Sequence, residues 1–535
     1  MRLRLFSAAF FASLLCAGQA DPFNLMLEPV NLPGLGGIQS YAFGQHDGKW
    51  LIAGGRLDGL HRRQPFAAFD EAGHNKQLFV VDAEGAQHWT APLSALPTSI
   101  AEQLSSTNMA FHQEGPYLYC FGGYGYSATA GDHITFAAMV AIDVPAAMAA
   151  IIGGSDIAPH FRQLEDPAFQ VAGGRLRHMN GIYYLMGGQK FMGRYNPIGP
   201  DHGPGFVQEY TNAVRRFTLS DNGTNLDASH LPTYTDPDLL HRRDYNAESQ
   251  ILPDGAQGIT MFSGVFKTTE DLPFLDAVTL DADGYGQETN FQQYYNHYHC
   301  PALPLYGLSA NEMHTVFFGG IAQYYDNNGV LVQDNNVPFV KTIARVTRNA
   351  SGELSEFLMP VVMPDYLGAG AEFIPRPDVP HYDNGVFKLD ELTADSTLVG
   401  YIYGGISSSA ANIFWVNDGT QSTASPTVYR VWLVKDVAKP LHAYNFRSNA
   451  SLGMVVYPNP NEGNFRVKYY LKQACEVYLT IARADGAVIE KLLLEDTCAG
   501  ENLFERNLQP SDTAGVLLIT LETPYESATQ LVVIE

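Results

Sequence analysis

The chain has 535 residues, with 32 lysines and arginines against 56 aspartates and glutamates, for a formal net charge of −24. That excess of negative charge repels phosphate backbones, so it excludes nucleic acid as a partner and favours solubility. The 50 glycines, 31 prolines, 29 tyrosines and 30 phenylalanines, without any long helical pattern, describe many short strands joined by turns: an all-β chain too long for one ordinary core.

Residues 1–20 combine two arginines, an apolar run from Leu5 to Leu15 and the small-residue close Ala17-Gly18-Gln19-Ala20, which is the pattern of a secretory signal peptide. No later stretch reaches the ~18 apolar residues of a membrane span, so the expected product is secreted and has no transmembrane segment.

From residue 50 onward an apolar strand ending in glycine recurs six times: WLIAGG (50–55), YLYCFGG (117–123), IYYLMGG (182–188), ITMFSG (259–264), TVFFGG (315–320) and GYIYGG (400–405). A strand closed by a tight turn precedes each copy, and Asp47-Gly48 and Asn180-Gly181 supply the positive φ angles such hairpins need. A third strand follows, as in LFVVDAEG (78–85) and VRRFTLSDNG (214–223). The unit resembles one blade of a kelch repeat, with loops longer than the ~50-residue norm. Six such units resemble a six-bladed kelch-like β-propeller spanning residues 21–448. The resemblance implies that the second strand and its glycines meet the crowded centre of the ring. It also makes FNLMLEP (23–29) a candidate strand for closing the last blade. An array of β-sandwiches would explain the alternation but not the repeated glycines.

After 448 the pattern changes to VYPNPNEGNFRVKYYL (456–471) and further short alternating strands, which read as a small β-sandwich over 449–535. Tyr457-Pro458-Asn459-Pro460, Gly463-Asn464-Phe465 and the Asp485-Gly486 hairpin resemble the type A C-terminal sorting domain of type IX secretion cargo. The resemblance implies the type IX machinery as a partner and a final location outside the cell or on its outer surface. The terminal Glu535 departs from the basic residue common in that family. Four cysteines follow the leader, none in a CxxC pair, which argues against structural zinc. Cys475 and Cys498 share the tail and are a candidate disulfide, while Cys120 is expected to be buried in a strand.

The loops after the glycine pairs and between blades carry the candidate site. Arg56, Asp58, His61, Arg62, Tyr124, Tyr126, Arg194, Tyr324 and Trp415 are the candidate ligand-binding residues, because arginine forks grip carboxylates and aromatic faces stack on sugar rings. Two His-Arg-Arg triplets, at 61–63 and 241–243, concentrate positive charge in an acidic chain. Their other reading is that these arginines pair with Asp58, Asp70 or Asp244 and brace long loops. The segment Tyr294 to Cys300 is densest in metal-ligating types, with His297, Tyr298 and His299 the candidate ligands. Tyr298-His299 resembles the adjacent Tyr-His pair that holds copper in galactose oxidase, although no motif selects the further ligands among Cys120, His178 and His381. His178 itself reads as structural. No hydrolase elbow, phosphate loop or metal-protease helix is present.

The leading expectation is therefore a binding propeller that engages a glycan or a protein and requires no cofactor. The alternative is an enzyme on an acidic sugar, since the ring resembles that of the sialic-acid mutarotases, with Arg56, His61 and Arg62 as candidates; a metal-dependent oxidase ranks below it.

Overall fold

The structure is a computed structural model that describes residues 22–30, 32–62, 68–195, 206–327, 330–435 and most of 452–534. The expected leader (1–20), Arg63, Asp201, His202, Pro460, the expected Asp485-Gly486 hairpin and Glu535 lie outside the described residues.

The chain folds into antiparallel sheets of four or five strands that follow one another in sequence, an all-β, propeller-like arrangement. The innermost strands of the first six sheets are Ala42–His46, Ala110–Glu114, Arg175–Met179, Asn246–Ile251, Ala302–Gly307 and Ala371–Pro375. In the fifth sheet Phe387–Lys388 adds a short parallel strand beside Ala302–Gly307. The sixth sheet is completed from the other end of the chain: Asn24–Val30 pairs antiparallel with Val428–Val434. Asp47-Gly48 and Asn180-Gly181 turn the first and third hairpins with both residues at positive φ, as that turn type demands.

Side-chain alternation explains why these sheets stand face to face. In Tyr117–Phe121, Leu118 and Cys120 join a core with Leu51 and Leu78 of the first sheet. Tyr119 and Phe121 point the other way, toward Leu185 and Phe217 of the third. A strand buried on both faces must be apolar throughout, and this is the run that repeats in the sequence. The same relation carries from the third sheet to the fourth, fifth and sixth. It returns to the first through Trp50 and Ile52, which pack with Tyr401 and Tyr403 of the sixth. Each fully buried large side chain contributes roughly 1.5–3 kcal/mol.

The repeated glycines sit between neighbouring sheets, not at the centre as expected from the sequence. At Gly122, with φ +62°, an added Cβ would lie 2.0 Å from the Val171 carbonyl oxygen, in the segment that enters the third sheet. The centre is formed by the innermost strands instead, where six backbone hydrogen bonds run head to tail. Asn108 N–H donates to Ser40 (3.1 Å), Gly173 to Asn108 (3.0 Å), Asp244 to Gly173 (2.7 Å), His299 to Asp244 (2.8 Å), Gly370 to His299 (3.0 Å) and Ser40 to Gly370 (2.7 Å). Ser40, Asn108, Gly173, Asp244 and Gly370 all take positive φ to do so.

In the tail, a three-stranded and a four-stranded sheet share one core, in which Phe465 and Val467 meet Leu479, Ile481 and Ile519. The expected Cys475–Cys498 disulfide is not formed, and both are free cysteines. The Cys498 backbone N–H donates to the Asn502 side chain at 3.0 Å and its thiol stands 3.7 Å from the same oxygen, which fixes it in its own turn.

Candidate functional site

Above the backbone ring lies a cavity of about 810 Å³, reached by loops from all six sheets. Ser40, Asn108, Gly173, Asp244, His299 and Gly370 form its floor. Its walls are aromatic: Phe69, Tyr124, Phe191, Tyr195, Tyr210 and Tyr298, together with Phe414 and the exposed Trp415. An extra sheet built from the loops of the second and third units, Tyr124–Ser127, Asp132–Thr135, Gln189–Gly193 and Phe206–Tyr210, raises one wall.

Two guanidinium groups reach this cavity. Arg56 is almost fully buried and is held by Asp58, with Nε 2.7 Å and Nη2 2.5 Å from the two carboxylate oxygens, while Nη2 also donates to the Asp70 carbonyl at 3.0 Å. Its Nη1 has no hydrogen-bond partner among the described residues. Arg243 donates from Nε to the Tyr210 hydroxyl at 2.9 Å and pairs through Nη1 with Asp244. Burial alone would lower its pKa, but Tyr210, Asp244, Tyr195 and Tyr298 outweigh that and keep it firmly charged. Burial raises the pKa of Tyr195 and Tyr298, so both phenols remain proton donors.

His61 lies between Phe69, stacked at 5.7 Å, and Tyr195, edge-on at 5.0 Å. Burial, with smaller help from Arg243 and Arg56, lowers its pKa to about 4, against an opposing contact from the Arg62 backbone. It is a neutral imidazole at pH 7.

The floor narrows to a neck lined by Tyr41, Met109, Arg175, Tyr245 and Glu372 beneath the six ring residues. Below it a second cavity of about 420 Å³ opens on the opposite face, lined in part by Arg175, Arg177, Glu248 and Glu372. His299 Nε2 is 2.8 Å and Arg175 Nη1 3.5 Å from Glu372 Oε1. Burial would raise the Glu372 pKa, but the pull of His299 and Arg175 prevails and holds it below the usual carboxylate range.

Of the residues singled out from the sequence, the structure brings Arg56, His61, Tyr124, Trp415, Tyr298 and His299 to the upper cavity. Tyr124 is also a brace, donating its hydroxyl to the Gly193 carbonyl at 2.7 Å. Asp58 serves Arg56, and Arg194 pairs with Asp70 and donates to the Ala68 carbonyl, so these two brace loops; of the triplet arginines, Arg243 pairs with Asp244 as the bracing reading expected. Arg62 is exposed and packs on Gly419, Tyr126 packs on His133, and Tyr324 packs on Tyr294; none lines the cavity. Arg242 is wholly structural, its guanidinium taken up by Leu239, Ser263 and Asp276.

The metal reading fails at His297. His297 is fully buried with both ring nitrogens engaged: Nε2 with the Gln293 carbonyl at 2.8 Å, and Nδ1 with the Gln323 N–H at 3.0 Å. His299 Nε2 stands 2.8 Å from Glu372 Oε1 without hydrogen-bond alignment. Tyr298 and His299 face the cavity.

Arg243, Asp244, Tyr210, Ser40 and Asn108 are cavity residues that the sequence reading did not select as ligands. A signal for the floor was present: Ser40, Asn108, Gly173 and Asp244 each stand two residues before an innermost strand.

No protein-family model matches the chain, and no curated protein matches it. Among solved structures, YjhT aligns at 13% identity and a TM-score of 0.39, covering 73% of this chain and 97% of its own. A fungal alcohol oxidase of the AA5 family, in complex with copper, aligns at 9% identity and a TM-score of 0.36, covering 97% of this chain and all of its own. The propeller-like assignment rests on the sheets themselves.

Proposed function

We propose that residues 21–448 are a six-bladed kelch-type propeller whose upper cavity binds a glycan bearing a carboxylate. The carrying observation is the pairing of two charged guanidinium groups, Arg56 and Arg243, with a wall of aromatic rings around one 810 Å³ cavity. Asp58 occupies the Arg56 fork, but Nη1 has no partner among the described residues and is able to donate to a ligand oxygen, and ring faces suit the apolar face of a sugar. The cyclic hydrogen bonds and the return of the last sheet to the first support the blade count. On the same reading residues 1–20 direct secretion, and 449–535 form a β-sandwich sorting domain that hands the protein to the type IX machinery, to be released or held at the cell surface.

Calorimetric titration of the full chain with glucuronic acid, N-acetylneuraminic acid and glucose tests the ligand class. The acidic sugars are expected to bind at least tenfold tighter than glucose. Arg56→Gln and Arg243→Gln should each lower that affinity ~10–100-fold, the equivalent of a charged hydrogen bond of about 1.5–3 kcal/mol. Equal affinity for charged and uncharged sugars would sink the carboxylate reading. Export is tested separately by removing 449–535, which should leave the propeller in the periplasm, since the leader is kept.

A second reading, an enzyme acting on an acidic sugar, is favoured by one observation: His61 lines the same cavity as the two arginines, and its Nδ1 has no hydrogen-bond partner among the described residues. Proton NMR of sugar interconversion separates the two, because a binder leaves the uncatalysed rate unchanged.

A further inference from the structure

On the opposite face from the proposed ligand cavity, one cluster has the composition and spacing of a metal site. His112 and Glu114 are two residues apart on Ala110–Glu114, so the period of two places both side chains on one face. His178 comes from Arg175–Met179, the innermost strand of the next sheet. Glu114 Oε2 lies 3.6 Å from His112 Nε2 and 3.3 Å from His178 Nδ1, and the three ligand atoms are all within 4.8 Å of one another.

Those separations are long for direct bonding, since charge-assisted N–H···O bonds run ~2.7–2.9 Å. They lie near the spacing of ligands sharing an ion: two atoms each ~2.0–2.1 Å from a tetrahedral zinc are roughly 3.3–3.4 Å apart, which the His178–Glu114 pair meets and the His112–Glu114 pair exceeds slightly. One aromatic ring backs both imidazoles, with Tyr183 at 4.6 Å from the His178 ring and 6.1 Å from that of His112. The nearby Arg177 is turned to Glu248 at 2.7 Å, which offsets its charge. Glu114 is half-exposed, leaving a path for an ion and water.

We propose that His112, Glu114 and His178 bind a divalent ion of the zinc class, which staples the second and third sheets at their innermost strands and keeps a coordination position for water at the lower mouth. Two imidazoles and a carboxylate suit zinc, copper or nickel and disfavour magnesium and calcium, which take oxygen ligands.

The test uses the full chain without a histidine tag, stripped with EDTA and titrated with Zn²⁺, Co²⁺ or Mg²⁺. One equivalent of Zn²⁺ is expected to bind and raise Tm, Co²⁺ to give the strong visible absorption of a four-coordinate site, and Mg²⁺ to do neither. His178→Ala should weaken Zn²⁺ binding at least ~10-fold, because even outer-shell losses at metal sites cost that much. Glu114→Gln, a conservative change at a half-exposed position whose folding is checked by circular dichroism, should do the same. Absence of Zn²⁺ binding to the unaltered chain, or binding undiminished in both variants, would overturn the proposal.

Discussion

The Ser40 N–H donates to the Gly370 carbonyl at 2.7 Å, joining the segment that opens the first sheet to the one that opens the sixth. It is one of six equivalent bonds, and it closes a circuit that the covalent chain leaves open. Gly370 adopts φ +68°, and an added Cβ would come within 2.7 Å of Ser40 Oγ. Gly370→Ala is therefore expected to destabilise the fold by about 1–3 kcal/mol, the cost of a left-handed non-glycine residue with a close contact. Urea unfolding with an unchanged slope and a lowered midpoint checks it; an unchanged midpoint would mean that the junction relaxes freely.

Much of this architecture was legible in the sequence because the physics that builds it is local. Strands such as Tyr117–Phe121 are buried on both faces, so they are apolar throughout and recur visibly. The turn at Asn180-Gly181 needs two positive φ angles and shows it in its residues. The location of the glycines is not legible in YLYCFGG, because nothing in it says which neighbour it meets; that neighbour, Val171, lies in another repeat.

Trp415 offers a test of the upper cavity, because the residue lines it while remaining 53% exposed, packed edge-on against Phe414. Trp415→Ala should weaken binding of the acidic sugar by about 1–2 kcal/mol, as loss of a tryptophan contact does elsewhere, while shifting stability by no more than ~0.5 kcal/mol. Calorimetric titration and thermal unfolding of the same sample read the two effects apart. Unaltered affinity would place the ligand deeper, against Arg243 and the floor.

The site was less legible than the fold, and Arg242 and Arg243 show why. They are adjacent and chemically identical, yet one is sealed against Ser263 and Asp276 while the other faces the cavity. Which of two neighbours faces a ligand depends on the local turn at Asp244, with its φ of +50°, and composition does not encode that choice. His297 and His299 repeat the lesson: the first is consumed by Gln293 and Gln323, and the second meets a glutamate from another sheet.

Acid should unfold the protein through its buried neutral histidines. Burial lowers the His297 pKa to about 4 and those of His74 and His314 to about 3, below the ordinary 6.5. Protonation then favours the unfolded chain, so the stability these groups provide is whole above pH 6.5 and is lost as pH falls toward 4. For His297, a gap of this size corresponds to roughly 3 kcal/mol. Tm measured from pH 7 to pH 4 should fall steadily. A His297→Leu variant, less stable at pH 7, should show a shallower fall; a slope equal to that of the unaltered chain would assign the acid sensitivity to other groups.

The cysteines provide a test that separates the two parts of the chain. Cys120 and Cys300 are buried between sheets, and burial pushes the Cys300 thiol up to about 12 and that of Cys120 higher still, so neither offers thiolate at neutral pH. Cys498 is exposed and Cys475 half-buried, both free. Iodoacetamide at pH 8 under native conditions should therefore label Cys498 first, leave Cys120 and Cys300 unmodified, and reach those two only in denaturant. Mass spectrometry of tryptic peptides reads each site. If Cys498 is labelled only after dithiothreitol, it is oxidised in the isolated protein and the turn held by Asn502 must open to let it pair; labelling without reductant establishes that the tail folds on its apolar core alone.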